Sequence, residues 1–232
     1  MAELASARAI WEEGLASEIQ FWDRWFSTKG GKWPADYGMR LDPLAPLQEH
    51  WARYLDHLTA TELSVLDVGA GPLTKLGKIY KGRRLRMLAT DALADVYDVL
   101  LERHGVVPPV RTTWCEAELL SHRFQPQTFD LVTAINCLDH SHDPRAAILQ
   151  AFGLVKVGCY LRLRHAPNEA EHEQYVGLHQ WNFVNEDGRF VLWNRTARID
   201  MTALLAPVAE ITMLHPAPNP DVAILKLREY VA

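Results

Sequence analysis

The stretch that decides the fold of this 232-residue chain is Leu63-Ser64-Val65-Leu66-Asp67-Val68-Gly69-Ala70-Gly71-Pro72. Its apolar part is typical of a buried parallel strand, and glycines let the backbone turn sharply and approach a ligand closely. Asp67 falls at the carboxyl end of this strand, the edge at which open α/β sheets bind ligands. The stretch therefore predicts a ligand-binding corner, with an ordinary strand–turn–helix corner as the alternative.

Strands and helices alternate after this corner. Two closing strands over 209–214 and 221–227 follow the last helix, and a hairpin is predicted around residues 185–188. The other predicted strands cover 63–68, 84–90, 110–114, 129–135 and 158–164, with helices over 73–81, 94–104 and 144–154. This order predicts an α/β, Rossmann-like sheet of seven mostly parallel strands with helices on both faces.

The first 60 residues are predicted to form a helical cap ahead of the sheet. Apolar residues recur at steps of three and four over 3–28, as one face of a helix requires, and a second helix is predicted over 47–58. Packing against the sheet is one role for the aromatic residues of this cap. Closure over a ligand is the other, and it predicts pocket positions for Trp22 and Trp25.

Composition and charge exclude several classes of protein. The net charge of −5 gives no general attraction to nucleic acid. The three cysteines are far apart and form no Cys-x-x-Cys pair, which argues against a zinc site and a disulfide framework. No apolar run is long enough to cross a bilayer. We expect a cytoplasmic monomer or homodimer that binds a small molecule and no nucleic acid, membrane or metal.

Motifs at three strand ends resemble those of the class I S-adenosylmethionine-dependent methyltransferases, over about residues 60–165. They are Asp67-Val68-Gly69-Ala70-Gly71, then Asp91, then Cys115-Glu116-Ala117-Glu118, in which Cys115 replaces the glycine usual in that family. A dinucleotide site is less favoured, because its third glycine is replaced by Thr74 and a proline follows the second. The resemblance implies a methyltransferase-like domain over 61–232, with a substrate-loop insertion at about 166–200.

The resemblance also implies a cofactor, S-adenosylmethionine, and a set of residues that hold it. The glycine turn would hold the methionyl end, Asp91 the ribose hydroxyls, and Glu116 the adenine amino group. An amide such as Asn136 offers both donor and acceptor groups for the methionyl ammonium or carboxylate. The implied cofactor residues are Asp67, Gly69, Ala70, Gly71, Asp91, Ala92, Glu116, Ala117 and Asn136.

Polar and aromatic residues further along the chain are candidates for the chemistry. Asp139 and His140 follow the fourth strand and are candidate acids or bases. The predicted insertion supplies the pocket candidates His179, Trp181 and Asn182. A Tyr or Trp face stabilises a sulfonium by about 0.5–2 kcal/mol. Ordinary packing of these aromatic residues is the alternative.

A narrower resemblance, to azetidine-2-carboxylate synthases, rests on Asn136, Tyr175 and Thr202. It implies that the cofactor is itself the substrate, and that its α-amine attacks Cγ to close a four-membered ring and release 5′-methylthioadenosine. Asn136 would orient the amine, Tyr175 would cover the sulfonium, and Thr202 would pass on the proton. The alternatives are methyl transfer to a small-molecule nitrogen or oxygen, and a non-catalytic binding protein that retains the cofactor fold.

Overall fold

A seven-stranded sheet forms the centre of the protein. The computed structural model describes residues 2–230, with side chains from residue 8 onward; residues 1 and 231–232, at the outer ends of the two predicted units, lie outside it. In spatial order the strands are β3 (Thr112–Trp114), β2 (Arg84–Asp91), β1 (Glu62–Val68), β4 (Phe129–Ile135), β5 (Val155–Arg164), β10 (Val222–Lys226) and β9 (Ala209–Met213).

The pairing of these strands confirms the predicted α/β fold. Strands β1 to β5 pair in parallel, and β10 runs antiparallel to both of its neighbours. The central strand β4 is buried along almost its whole length, as a parallel strand covered on both faces requires. Asp67 pairs in register with Ala89 and Thr133, so the carboxyl ends of β1, β2 and β4 meet at one edge.

Helices α4 (Ala94–Arg103) and α5 (Pro144–Leu154) connect strands of the sheet. Helix α5 begins where the sequence predicts it, with Pro144 at its first position. The carboxylate of Asp143 caps it by accepting a hydrogen bond from the Ala146 amide at 2.9 Å. Both helices confirm the predicted βαβ order.

The cap contains one long helix and two short ones. Helix α1 (Ala2–Ser27) confirms the predicted first helix, whereas no helix was predicted at α2 (Pro34–Leu41). The predicted helix over 47–58 is wrong, because only α3 (Glu49–Ala52) is helical and turns follow it. An aromatic cluster of α1, formed by Trp22, Trp25 and Phe26, packs against α4 and joins the cap to the sheet.

The segment between β1 and β2 is not helical, so the predicted helix over 73–81 is wrong. The amide of Lys78 donates to the Ala45 carbonyl at 2.7 Å, and the amide of Leu47 donates to the Ile79 carbonyl at 2.8 Å. The two backbones are so close that a Cβ atom at Gly77 would lie 1.9 Å from the Pro46 oxygen. Hydrogen bonds to a distant segment therefore replace those of a helix.

The segment after β5 forms a separate small sheet. It begins with α6 (Glu169–His172), and then β6 (Asn182–Glu186) and β7 (Arg189–Trp193) form the predicted hairpin. A third strand, β8 (Arg198–Asp200), pairs with β7 and leads into α7 (Met201–Leu205). None of the described helices combines the length and apolar character that crossing a bilayer requires.

Candidate functional site

A cavity of about 720 Å³ opens where the carboxyl ends of β1, β2 and β4 meet. Its volume is within the range of small-molecule sites, roughly 300–1,000 Å³. Most of the predicted site residues line it: Trp22, Trp25, Asp67, Gly69, Ala70, Gly71, Asp91, Ala92, Ala117, Asn136, His140 and His179. The structure therefore brings the predicted cofactor motifs and the aromatic face of α1 to one place.

The turn after β1 needs its two glycines. Gly69 and Gly71 have left-handed φ values of +63° and +64°, which side chains rarely adopt. A Cβ atom at Gly69 would lie 2.5 Å from the Cys137 Cβ, and one at Gly71 would lie 2.6 Å from the Trp22 ring. The turn is therefore packed directly against α1 on one side and the loop after β4 on the other.

Asp67 is fully engaged in holding this turn. Its carboxylate is 2 % exposed and accepts hydrogen bonds from the hydroxyls of Thr74 at 2.6 Å and Thr133 at 2.7 Å. Burial raises the pKa of Asp67, although the two hydroxyls act in the opposite direction. The charge at the end of β1 is thus held by two local donors.

Asp91 joins the glycine turn to the start of α4. Its carboxylate accepts hydrogen bonds from the amides of Gly71 at 3.0 Å and Leu93 at 2.9 Å. Burial raises the pKa of Asp91 to about 6, although these two amides lower it. A carboxylate has about four acceptor positions, so two remain for ligand hydroxyl groups.

Glu116 does not line the cavity, which corrects its predicted position beside an adenine amino group. Its carboxylate, with the side chain 7 % exposed, accepts hydrogen bonds from Arg8 of α1 at 2.6 and 2.8 Å. Such a two-bond pair is among the stronger contacts of side chains. The carboxylate therefore fastens the cap to the sheet.

Two cationic residues that the sequence did not single out, Arg40 and Lys75, also line the cavity. Arg40 donates to the Leu73 carbonyl and the Asp36 carboxylate, both at 2.8 Å. Its guanidinium lies 5.4 Å from the Trp25 ring centroid. Seven carboxylates nevertheless exceed these two cations in the lining: Glu18, Asp36, Asp67, Asp91, Glu118, Glu169 and Glu173. The cavity is therefore suited to a cationic ligand.

Asp139 and two histidines meet at the wall of the cavity. Asp139 Oδ2 lies 2.9 Å from His179 Nδ1 and 3.4 Å from His140 Nε2, and the two ring nitrogens are 3.2 Å apart. Burial would raise the pKa of Asp139, but His140, His165 and His179 outweigh it and hold that pKa far below the usual range. Burial would likewise lower the pKa of His179, but Asp139 outweighs it and raises that pKa.

A second cavity, of about 660 Å³, lies beside the first and shares His140 with it. Tyr175 and Trp181 line this second cavity and not the first, which corrects the predicted position of Tyr175 over the sulfonium and places the substrate-pocket candidate Trp181 in a neighbouring cavity. The guanidinium carbon of Arg195 lies 4.1 Å from the Tyr175 ring centroid. A cation of the protein itself therefore covers one face of the Tyr175 ring, which was predicted to cover the sulfonium.

Two further predicted residues, Asn182 and Thr202, line neither of these cavities. The Asn182 amide donates to the Tyr175 hydroxyl and accepts from the Glu171 amide, both at 3.0 Å. The Thr202 hydroxyl accepts from the Phe190 amide at 2.8 Å. Both side chains therefore make structural contacts, which corrects the predicted positions of Asn182 in the substrate pocket and of Thr202 at the reacting centre.

Comparisons with known proteins give one family match. The model of a family described as a methyltransferase domain matches residues 66–163. No protein of curated function matches the sequence.

The fold is similar to that of several solved structures. A Methanococcus maripaludis protein, provisionally assigned as an S-adenosyl-L-methionine-dependent methyltransferase, has a TM-score of 0.50 at 10% identity, over 92% of this chain and 94% of its own. A provisionally assigned methyltransferase from Bacillus halodurans has a TM-score of 0.47 at 19% identity, over 72% of each chain. The Bacillus subtilis YcgJ protein has a TM-score of 0.36 at 22% identity. The match covers 56% of this chain and only 56% of YcgJ.

Proposed function

We propose that this chain, which has the class I methyltransferase fold and matches the model of a methyltransferase domain over residues 66–163, is an enzyme that uses S-adenosylmethionine on a small molecule. The observation that carries this proposal is the convergence of Asp67, Asp91, the glycine turn and Asn136 on one cavity. Its excess of carboxylates favours a sulfonium, which is a cation.

The proposed binding mode follows from the positions of these groups. Asp91 accepts hydrogen bonds from the ribose hydroxyls, and the glycine turn lies along the methionyl chain. Arg40 and Lys75, which line the same cavity, bind the methionyl carboxylate. The rings of Trp22 and Trp25 cover the ligand and exclude water, so that attack by water on the sulfonium is suppressed. The adenine contacts the backbone at Ala117, and Glu116 joins it only when Arg8 releases the carboxylate.

Within this function, we propose that the methionyl α-amine is the nucleophile and that the product is azetidine-2-carboxylate. The lone pair of the neutral amine forms the new N–Cγ bond while the Cγ–S bond breaks. The electrons of that bond return to sulfur, which leaves as neutral 5′-methylthioadenosine, and the ring nitrogen becomes a secondary ammonium. Asn136 supports the proposal because it lines the same cavity as the glycine turn, and its amide would orient the amine there.

Methyl transfer to a small-molecule nitrogen or oxygen is the second candidate, and a specific observation favours it. The second cavity borders the first at His140, and its lining of Trp11, Trp181 and Arg195 offers room for an acceptor. The positions of Tyr175 and Thr202 away from the first cavity also favour this candidate. In that reaction the same Asn136 would bind the methionyl end without activating it.

One assay separates the two candidates. The purified protein is incubated with S-adenosylmethionine alone, and the products are identified by mass spectrometry. Cyclisation yields equal amounts of 5′-methylthioadenosine and azetidine-2-carboxylate. If S-adenosylhomocysteine forms, and only after acceptors are added, the cyclisation proposal is wrong and methyl transfer is supported. If S-adenosylmethionine neither binds nor reacts, the use of this cofactor is wrong as well.

Asn136 offers a matched pair of variants for the same assay. Its φ is +46°, so Asn136→Gly keeps the backbone and removes the amide, whereas Asn136→Asp keeps the backbone and one acceptor. Because misplacing a reacting group costs about 100-fold in rate, we expect Asn136→Gly to lower the rate of cyclisation by about that factor. An unchanged rate in Asn136→Gly would remove Asn136 from the mechanism.

A further inference from the structure

Three side-chain atoms at the wall of the main cavity lie unusually close to one another. They are Asp139 Oδ2, His140 Nε2 and His179 Nδ1, which we call the His–His–Asp cluster. The three distances between them are 2.9, 3.2 and 3.4 Å. Asp139 is 1 % exposed, and both histidines line the cavity.

Hydrogen bonds alone do not account for all three contacts. A neutral imidazole carries one proton on one ring nitrogen, and an ionised carboxylate carries none. If each ring nitrogen donates to the carboxylate, two N–H groups face each other at 3.2 Å. If one imidazole donates to the other, one contact with Asp139 has no proton. Three lone pairs directed at one shared cation satisfy every contact.

The triangle has the size of one face of a metal coordination shell. Ligands bound at about 2.0–2.1 Å are separated by about 3.0 Å in octahedral geometry and about 3.4 Å in tetrahedral geometry. The observed distances of 2.9, 3.2 and 3.4 Å fall close to these values. A point about 2.1 Å from all three atoms lies roughly 1 Å outside their plane, which is the position of an ion bound to one face.

We propose that Asp139, His140 and His179 bind a divalent transition-metal ion. Two imidazoles and one carboxylate suit ions such as Zn²⁺, Fe²⁺ and Co²⁺. Three ligands from the protein leave positions open, and the two histidines place those positions beside the cavity. Oxygen or nitrogen atoms of a bound small molecule are the chemical class that would occupy them.

The surroundings of the cluster supply the negative charge and support that such an ion requires. Asp139 Oδ1 and Glu169 Oε2 are buried atoms without a hydrogen-bond partner among the described residues. Glu18 Oε2 lies 4.0 Å from the other ring nitrogen of His140, so its negative charge adds to that around the cluster. A backbone hydrogen bond from Gln180 to the Asp139 carbonyl, at 3.3 Å, holds the segment that carries His179.

This site explains why the sequence predicted no metal. That expectation rested on the cysteines, which take no part in this cluster; Asp139 and His140 adjoin each other in the loop after β4. The third ligand comes from a segment about 40 residues later that folds back onto the loop. The inference goes beyond the proposed function, because metal binding is measured without S-adenosylmethionine.

The test is a metal titration of the protein after treatment with a chelator and dialysis. Zn²⁺ binding is followed by calorimetry, and Co²⁺ binding by its visible absorption spectrum, which reports the ligand geometry. We expect one equivalent to bind. Loss of a residue that only supports a metal ligand weakens metal binding by about 10–100-fold. His140→Ala and His179→Ala remove direct ligands, so each should weaken Zn²⁺ binding by at least that factor.

Two other histidines provide matched controls. His172→Ala changes an exposed histidine, and His142→Ala changes a neighbouring group of possible ligands, Glu116, Glu118 and His142. Both should retain metal binding. Thermal unfolding without metal shows whether each variant folds, and the rise in Tm upon adding Zn²⁺ gives an independent measure of binding.

The proposal is overturned if the wild-type protein binds no stoichiometric metal, if His179→Ala binds as tightly as the wild type, or if His142→Ala loses binding equally. Addition of S-adenosylmethionine to the same metal-free samples, followed as a shift in Tm, reports separately on the proposed function. If S-adenosylmethionine causes no shift in Tm, the proposed function is wrong but the metal proposal stands. If the protein binds no metal, the metal proposal is wrong but the proposed function stands.

Discussion

Replacing Asp91 by asparagine is expected to change how the stability of the protein depends on pH. The folded state holds the pKa of this carboxyl at about 6, against 3.8 for an ordinary aspartate. The folded protein therefore binds the carboxyl proton more tightly than the unfolded chain. The stability that this group contributes is fully present below pH 3.8 and is lost as the pH rises through about 6.

The size of this effect follows from the shift. About two pKa units correspond to about 3 kcal/mol for a fully buried group. Asp91 is only partly buried, and water in the cavity screens its charge, so we expect about 1–2 kcal/mol. Asparagine does not ionise, so this loss is absent in Asp91→Asn. The side-chain amide of Asp91→Asn cannot accept the hydrogen bond from Gly71. This loss lowers the stability of the variant by the same amount at every pH, so it does not affect the difference between the two pH profiles.

The assay is thermal unfolding of both proteins between pH 4 and pH 8. Relative to the wild type, the Tm of Asp91→Asn should rise by about 2–8 °C across this range, at about 2–4 °C per kcal/mol for a chain of this size. The variant should also lose the Tm shift caused by S-adenosylmethionine. Asp187→Asn, in the exposed hairpin turn, is the control and should follow the wild type. Parallel pH profiles for the wild type and Asp91→Asn would refute the reasoning.

Three other substitutions test contacts of the cap and the small sheet. Gly71→Ala puts a methyl group 2.6 Å from the Trp22 ring at a φ of +64°, so calorimetry should show at least about tenfold weaker binding of S-adenosylmethionine. Arg8→Gln frees the Glu116 carboxylate for adenine, so binding should strengthen by about three- to tenfold; weaker binding would show that Arg8 chiefly anchors the cap. Thr202→Val leaves a strand amide without its acceptor, so urea unfolding should show about 1–3 kcal/mol lower stability; unchanged stability would contradict its structural role.

The parts of the fold that could be predicted are those that local sequence determines. The apolar run before Asp67 is buried because β1 lies inside the sheet between β2 and β4, and the glycines after it occupy positions at which φ is positive. The start of α5 could be read from Asp143 and Pro144, since capping depends on neighbours in the chain. The order of the strands and the edge of the sheet at which the cavity opens follow from these local features.

The errors arose where distant segments decide local structure. Residues 73–81 carry a helix-like pattern, yet backbone hydrogen bonds to residues 45–47 hold them in turns. Such a pairing leaves no periodic signal in either segment. Helix α2 was missed because the prolines around it are typical of irregular chain, and Arg40 of the cavity was missed with it.

The candidate site was predictable only as far as the strand ends. The parallel register of β1 and β2 brings Asp67 and Asp91 to the same edge of the sheet, independently of the side chains that follow the strands. By contrast, Glu116 is paired with Arg8, more than a hundred residues earlier, and Tyr175 is covered by Arg195. Neither pairing can be predicted from the spacing of residues in the sequence. In each case a residue that was predicted to contact the ligand contacts an arginine of the protein.

The non-helical connection between β1 and β2 bears on which nucleotides the cavity rejects. In dinucleotide-binding proteins a helix follows the first strand, and its N-terminal amides and dipole hold the pyrophosphate. Here the described chain beyond Gly71 forms turns instead, and the cavity lining carries seven carboxylates. A polyphosphate would meet repulsion without a compensating helix dipole. We therefore expect ATP and NAD to be excluded by charge, although NAD-binding proteins share the Gly-x-Gly turn.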